Sequence, residues 1–219
     1  RAQLAGWRFV YREEHHVPSE LPVTMSALRS QQQRWAKGSI QTARKILPRL
    51  FKARLPLPVK LEAAAHLLAN VCWLLGVVVT LTLYPAILSR THIGPYQMLR
   101  LDIPLFVFSS MAIFLYFLLY RQRQRNRVSF RSLLALPVLT IGLAPGIAFS
   151  VIKGFFGQGG VFERTPKFGI RGGSDMPVLS FLYSQSSFPY LLMNAIFCGI
   201  ALLPVFYALQ RNIWPAVPF

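Results

Sequence analysis

The sequence predicts a predominantly α-helical membrane protein that opens with the tail of a soluble domain. Three observations carry this. First, 53% of the 219 residues are hydrophobic and mean hydropathy is +0.42, while only 14% are charged, against roughly 25% in a soluble domain. Second, the charge is one-sided: 24 Lys and Arg stand against 7 Asp and Glu, a net charge of +17. Third, the apolar residues gather into four blocks, about 66–88, 103–120, 132–152 and 188–208, joined by basic connectors. Lys and Arg accumulate in the cytoplasmic loops of membrane proteins. Nucleic-acid-binding domains are also basic, but they do not carry apolar runs of this length. Nucleic acid is therefore not expected as a partner.

Residues 1–23 read as the soluble remnant. Arg1–Ala5 ends a helix at Gly6. Trp7, Phe9 and Tyr11 then alternate with Arg8, Val10 and Arg12, the period of a half-buried strand. A lone strand satisfies neither its edges nor its aromatic face, so its partners are expected upstream of Arg1. No secretory signal opens the chain, and its first residue is Arg rather than Met, so it reads as a piece of a longer protein.

Residues 24–60 read as amphipathic interface helices. Thr24 suits an N-cap, with Val23 and Leu28 spaced as a hydrophobic staple. Met25, Leu28, Trp35, Ala43, Ile46, Leu47 and Leu50 make a broken apolar stripe, and Arg29, Lys37, Arg44, Lys45, Arg49 and Lys52 a basic side. Pro48 is expected to end or kink the helix after residue 47. The pattern fits a helix lying at a membrane surface; a basic surface helix of a soluble domain would share it.

Residues 61–219 read as the membrane domain. The first block is uncharged from Leu67 to Leu88, enough to cross a hydrocarbon core of about 30 Å. The second is shorter and rich in Phe and Leu. The last is flanked by Tyr190 and Tyr207, placed like interface anchors. The third, 132–152, holds Pro137, Gly142, Pro145 and Gly146. Arg121, Arg123, Arg125, Arg127 and Arg131 precede it, and Lys153, Arg164, Lys167 and Arg171 follow it. Both runs can be cytoplasmic only if this block does not cross. The expectation is three spans (66–88, 103–120, 188–208), an interfacial or re-entrant helix at 132–152, and a cytoplasmic loop at 153–176. Four spans, with Lys167 outside, is the alternative.

Cys72 and Cys198 lie in apolar blocks and read as free thiols. No Cys/His spacing resembles a zinc site, and His15 and His16 are adjacent in a polar loop. No metal site is expected in this chain.

The residues that carry chemistry are Gln31, Arg34 and Trp35. At positions i, i+3 and i+4 they share one helix face. Arg grips phosphate oxygens through a planar fork, and Trp offers a flat apolar surface on which a sugar ring packs. Gly38, one turn on, leaves room for a backbone or a ligand.

The run Gln31-Gln32-Gln33-Arg34-Trp35-Ala36-Lys37-Gly38, with Glu20-Leu21-Pro22 ahead of it, resembles the Q-x-x-R-W region of processive family-2 glycosyltransferases, the cellulose synthases and the mannan and glucomannan synthases. Arg1-Ala2-Gln3-Leu4-Ala5-Gly6-Trp7 resembles the segment after their catalytic T-E-D motif. Phe162-Glu163-Arg164-Thr165-Pro166-Lys167 resembles their F-x-V-T-x-K gating loop, with Arg164 in place of Val. The resemblance is strongest at 1–60 and 160–169; the spans match only in pattern.

This resemblance implies that the chain is the C-terminal membrane portion of such an enzyme. Residues 1–23 would be the last helix and strand of a GT-A α/β domain. Gln31, Arg34 and Trp35 would bind the acceptor, with Arg34 near the donor pyrophosphate. Phe162 would seat the loop, and Thr165 and Lys167 would contact the donor. The implied partners are a UDP- or GDP-hexose, a polysaccharide or glycolipid acceptor and the lipid membrane. The implied location is the bacterial inner (plasma) membrane, with the Gln31–Trp35 helix and the loop cytoplasmic. The Asp base of T-E-D, and the carboxylates that hold Mg2+ or Mn2+, are expected upstream of Arg1. The seven acids here, Glu13, Glu14, Glu20, Glu62, Asp102, Glu163 and Asp175, form no pair spaced for acid–base work. The fragment alone is therefore expected to be inactive. A non-processive enzyme acting on a lipid acceptor, and a non-catalytic channel subunit, are the competing readings.

Overall fold

A computed structural model describes residues 2–17, 19, 21–22, 24–89, 93–123, 130–157 and 188–213. These residues are predominantly α-helical, and no strand forms among them. The helices are α1 (Met25–Lys52), α2 (Leu57–Leu68), α3 (Val71–Ser89), α4 (Pro95–Arg123), α5 (Phe130–Phe156) and α6 (Phe188–Gln210). The chain divides into one unit of Arg1–Leu75 with Gly146–Phe188 and another of Gly76–Pro145 with Pro189–Phe219.

The first unit opens with a 3₁₀ turn, Gln3–Ala5, closed by Gly6 at φ 90°. That left-handed conformation is cheap only for glycine. The expected strand at 7–12 does not form. Trp7 is 73% and Tyr11 89% exposed, because an unpaired strand has nothing to bond its edges or cover its aromatic face.

Thr24 caps α1: its side chain accepts from the Ala27 N–H at 3.2 Å, satisfying one of the free donors of the first turn. The helix does not stop at Pro48 but continues to Lys52. Pro48 lacks the N–H that would bond the Arg44 carbonyl, and the tertiary contacts of this half of α1 outweigh that one missing bond. Arg49 and Lys52 occupy the last turn, where positive charge complements the helix dipole.

Helix α2 runs back along α1. Asn70 Nδ2 donates to Ser39 Oγ at 2.8 Å and Lys60 Nζ donates to the Phe51 carbonyl at 2.9 Å, which fixes an antiparallel register. Residues 66–70 thus belong to the end of α2 and a turn, and α3 begins at Val71. The carboxyl end of α5 also lies on α1. Ala36, Ile40 and Ala43 of α1 and Ile147, Ala148 and Val151 of α5 are buried.

In the second unit, hydroxyls in apolar helices bond back to their own backbone: Thr80 to the Gly76 carbonyl, Thr82 to Val79 and Thr140 to Leu136. This spares them an unpaired hydroxyl in hydrocarbon. Tyr84 of α3 and Tyr207 of α6 meet edge to face, with centroids 6.0 Å apart, and Arg211 lies 5.7 Å from the Tyr207 centroid. The carboxyl-terminal parts of α3 and α6 therefore lie together. Helix α6 ends in a Schellman motif: Ile213 N–H bonds the Ala208 carbonyl at 2.8 Å and Asn212 N–H the Leu209 carbonyl at 3.2 Å. Asn212 takes the left-handed position at φ 57°.

Among the described residues, three helical stretches are long and apolar enough to cross a membrane: Val71–Ser89, Val138–Phe156 and Phe188–Gln210. This is the composition of an integral membrane protein. The stretches differ in cover: 44% of the Val138–Phe156 window is buried inside the protein, against 6% in each of the others. The apolar run 103–120 lies within α4 and 132–152 within α5.

Candidate functional site on helix α1

Helix α1 presents three surfaces; at about 100° per residue the first two lie on one side of the helix, in its amino and carboxyl halves, and the third on the opposite side. The first carries Gln31, Arg34 and Trp35. Gln31 and Arg34 are half-buried, while Trp35 is 58% exposed despite its size. A Cβ built at Gly38 would meet nothing within 4 Å. No neighbouring backbone requires that glycine, and the space in front of it is open. The face thus offers an amide, a guanidinium, an indole surface and a gap one turn further on.

The second face, in the carboxyl half, meets α2. Thr42, Ile46 and Leu50 line a groove of about 600 Å³ shared with Val59, Glu62 and His66 of α2 and Leu4 of the 3₁₀ turn. None of Gln31, Arg34 or Trp35 lines it, so this groove is separate from the predicted acceptor residues.

The third face holds the end of α5. Arg44 Nη1 donates to the carbonyls of Gly154 and Gly157, each at 3.5 Å, and Gln41 Nε2 donates to the Gly157 carbonyl at 3.4 Å. The last carbonyls of a helix have no partner of their own, and a guanidinium suits the negative end of the helix dipole. Gly154 is a glycine at which another helix approaches closely. A Cβ there would lie 2.9 Å from Ile40 Cβ and 3.0 Å from the Lys37 carbonyl oxygen. Sequence reading missed Gln41, Ile40 and Gly154. The available signal was Gly142, Gly146, Ser150 and Gly154 at four-residue spacing, a small-residue stripe of the kind that lets helices approach closely.

Phe162, Thr165 and Lys167 lie outside the described residues. Cys72 and Cys198 are free thiols exposed on α3 and α6. No group of three His, Cys, Asp or Glu converges among the described residues, so what is described here does not fit a divalent-metal site.

Parts of the chain are similar to plant enzymes. It is 43% identical over 53 residues to glucomannan 4-beta-mannosyltransferase 7 of Arabidopsis thaliana, covering 24% of this chain and 10% of that protein. It is 34% identical over 98 residues to glucomannan 4-beta-mannosyltransferase 1 of Oryza sativa subsp. japonica, covering 43% of this chain and 18% of that protein. A probable glucomannan 4-beta-mannosyltransferase 9 of the same rice is 51% identical over 47 residues, 22% of this chain and 9% of that protein. The chain thus spans under a fifth of the length of these relatives. No protein-family model matches it, and no solved structure does.

Proposed function

We propose that this chain is the membrane-embedded part of an inverting glycosyltransferase that moves a hexose from a nucleotide sugar to a β-linked polysaccharide and helps export the product. The observation that carries the reading is the Gln31–Arg34–Trp35 face, with its large indole held open on the helix that also fixes the end of α5. The names of the similar plant enzymes support a mannosyl donor and a β-1,4-linked acceptor.

In this reading Trp35 stacks on the terminal sugar of the acceptor, and Gln31 bonds one of its hydroxyls. Holding the acceptor in line converts a bimolecular attack into a near-unimolecular one. The acceptor hydroxyl displaces the nucleoside diphosphate at the anomeric carbon, and the departing phosphates gain negative charge. Arg34, with Lys167 from the following segment, stabilises that charge. The general base, and the carboxylates for Mg2+ or Mn2+, are assigned to residues outside this chain.

The reach of the chain supports the pairing of Arg34 with Lys167. Gln41 and Arg44 hold Gly157, and they lie roughly 9–14 Å along α1 from Trp35 at 1.5 Å per residue. Ten residues from Gly157 to Lys167 span up to roughly 33–36 Å. Topology supports it as well. Two spans whose carboxyl ends meet, as α3 and α6 do at Tyr84 and Tyr207, run in the same direction. That requires an odd number of crossings between them, which holds if α4 crosses and α5 does not. The loop after α5 then shares the cytoplasmic side with α1. The similar enzymes are from plants, so the proposal concerns orientation and not a bacterial membrane.

The test is Trp35→Ala in the full-length enzyme. Elongation is expected to be lost with nucleotide-sugar binding largely kept, and near-normal polymer yield would refute the acceptor role. Product sizing separates processive transfer, a ladder of lengths, from addition of one sugar to a lipid. A non-catalytic channel subunit predicts no effect at Trp35 or Arg34.

A further inference from the structure

Two contacts on different sides of a cylinder fix its rotation, whereas one leaves it free to pivot. Helix α1 has both. On one side Ser39 receives Asn70 and the Thr42–Ile46–Leu50 edge faces α2. On the other, α5 approaches so closely that position 154 admits only glycine without a shift of Ile40 or the Lys37 backbone. Among the described residues, the largest fully buried side chains are Ile40, Ile147 and Val151. On α5, Ile147, Val151 and Gly154 share one face by their spacing, so this joint is closely packed. Its polar edge is made by Arg44 and Gln41 on the terminal carbonyls of α5.

We infer that Gln41, Arg44 and Gly154 are positioning residues that set the rotation of α1, and with it the direction in which Gln31, Arg34 and Trp35 face. The inference rests on reading that face as the acceptor site. Side-chain tips lie about 5–6 Å from a helix axis, so a rotation of about 10° moves them by about 1 Å. A misplacement of about 1 Å is enough to cost catalysis heavily. Arg44 lies more than two turns from Trp35 and on another face, so it acts through α1 rather than on substrate.

The experiment compares Arg44→Leu, Arg44→Lys and Arg44→Leu with Gln41→Leu in the full-length enzyme, with Trp35→Ala alongside. KM for the acceptor and for the nucleotide sugar are measured separately, together with kcat. Arg44→Leu is expected to raise acceptor KM roughly two- to fivefold, the scale of a charge at a helix end. Donor KM should hold. Arg44→Lys should restore most of the loss, since its ammonium still meets the α5 carbonyls, and the double variant should exceed the single one. Unchanged acceptor KM in both Leu variants, with Trp35→Ala still inactive, would overturn the inference and leave the acceptor site standing. A fall in kcat with both KM values unchanged that disappears once rates are expressed per folded enzyme counts against it too. A fully active Trp35→Ala would remove the reading beneath it.

Discussion

Gly154→Ala tests the α1–α5 joint by adding one methyl group. The new Cβ would sit 2.9 Å from Ile40 Cβ, 3.0 Å from the Lys37 carbonyl oxygen and 3.2 Å from Ile40 Cγ2. Ile40 Cβ and the Lys37 carbonyl belong to rigid parts of α1, so the helices must separate or slide. Overpacking of this kind costs about 1–3 kcal/mol. Alanine returns about 0.8–1 kcal/mol through its higher helix propensity. The net is a destabilisation of about 0–2 kcal/mol, or up to roughly 8 °C in Tm for a chain of this size. The matched control is Gly199→Ala in α6, where a Cβ meets nothing within 4 Å and only the propensity gain applies. Thermal unfolding of the detergent-solubilised protein would read both. Equal midpoints for the two variants would refute the close approach at Gly154.

Three further outcomes are expected. Thr24→Ala removes the cap on Ala27 N–H and should cost about 1 kcal/mol, read as faster hydrogen exchange confined to the first turns of α1. Asn194→Leu removes the bond from Nδ2 to the Gly142 carbonyl at 3.0 Å. It also removes a buried Oδ1 with no partner, so the loss should stay near about 0.6 kcal/mol, measured by unfolding in detergent; a loss above about 2 kcal/mol would mean that Oδ1 is satisfied after all. Lys167→Ala in the full-length enzyme should weaken inhibition by the product nucleotide, and unchanged inhibition constants would remove Lys167 from the donor contacts.

The apolar helices were legible because a run of apolar residues reports its environment without reference to any partner, but the described stretches long and apolar enough to cross include Val138–Phe156 and not 103–120. Residues 188–208 were expected, and α6 runs Phe188–Gln210. Thr24 was legible as a cap because capping is local chemistry. Pro48 does not end the helix, because the cost of proline is local while α1 gains stability from α2 and α5. Of the buried Ala36–Ile40–Ala43 face, Ala43 was read into the apolar stripe, while Ala36 and Ile40 were missed because alanine contributes little to such a stripe and Ile40 sits among Lys37, Ser39 and Gln41. The Arg44–Gly157 bond joins residues 113 positions apart, and periodicity in one sequence carries no information on such pairs. The Gln31–Arg34–Trp35 face was read from spacing, and its acceptor role is a proposal that exposure of Trp35 does not test. The roles of Phe162, Thr165 and Lys167 rest on resemblance alone.

Two kinds of exposed apolar surface remain on this chain, and they call for different cover. On α3 and α6 the exposed residues, such as Leu75, Val79, Leu191 and Ile196, lie on helices whose backbone bonds are internal and whose length matches a bilayer. Lipid covers such a surface without further structure. On residues 7–11 the exposed Trp7, Phe9 and Tyr11 alternate with Arg8 and belong to backbone that makes no helix and no ladder. Lipid cannot bond those N–H and C=O groups, and water leaves the aromatic face bare. A strand partner would satisfy both, by pairing the backbone and stacking on the alternate side chains. In the proposed enzyme that partner is the sheet of the catalytic domain. Pairing there would tie residues 7–12 to that sheet, twelve residues of chain ahead of the helix that presents Trp35.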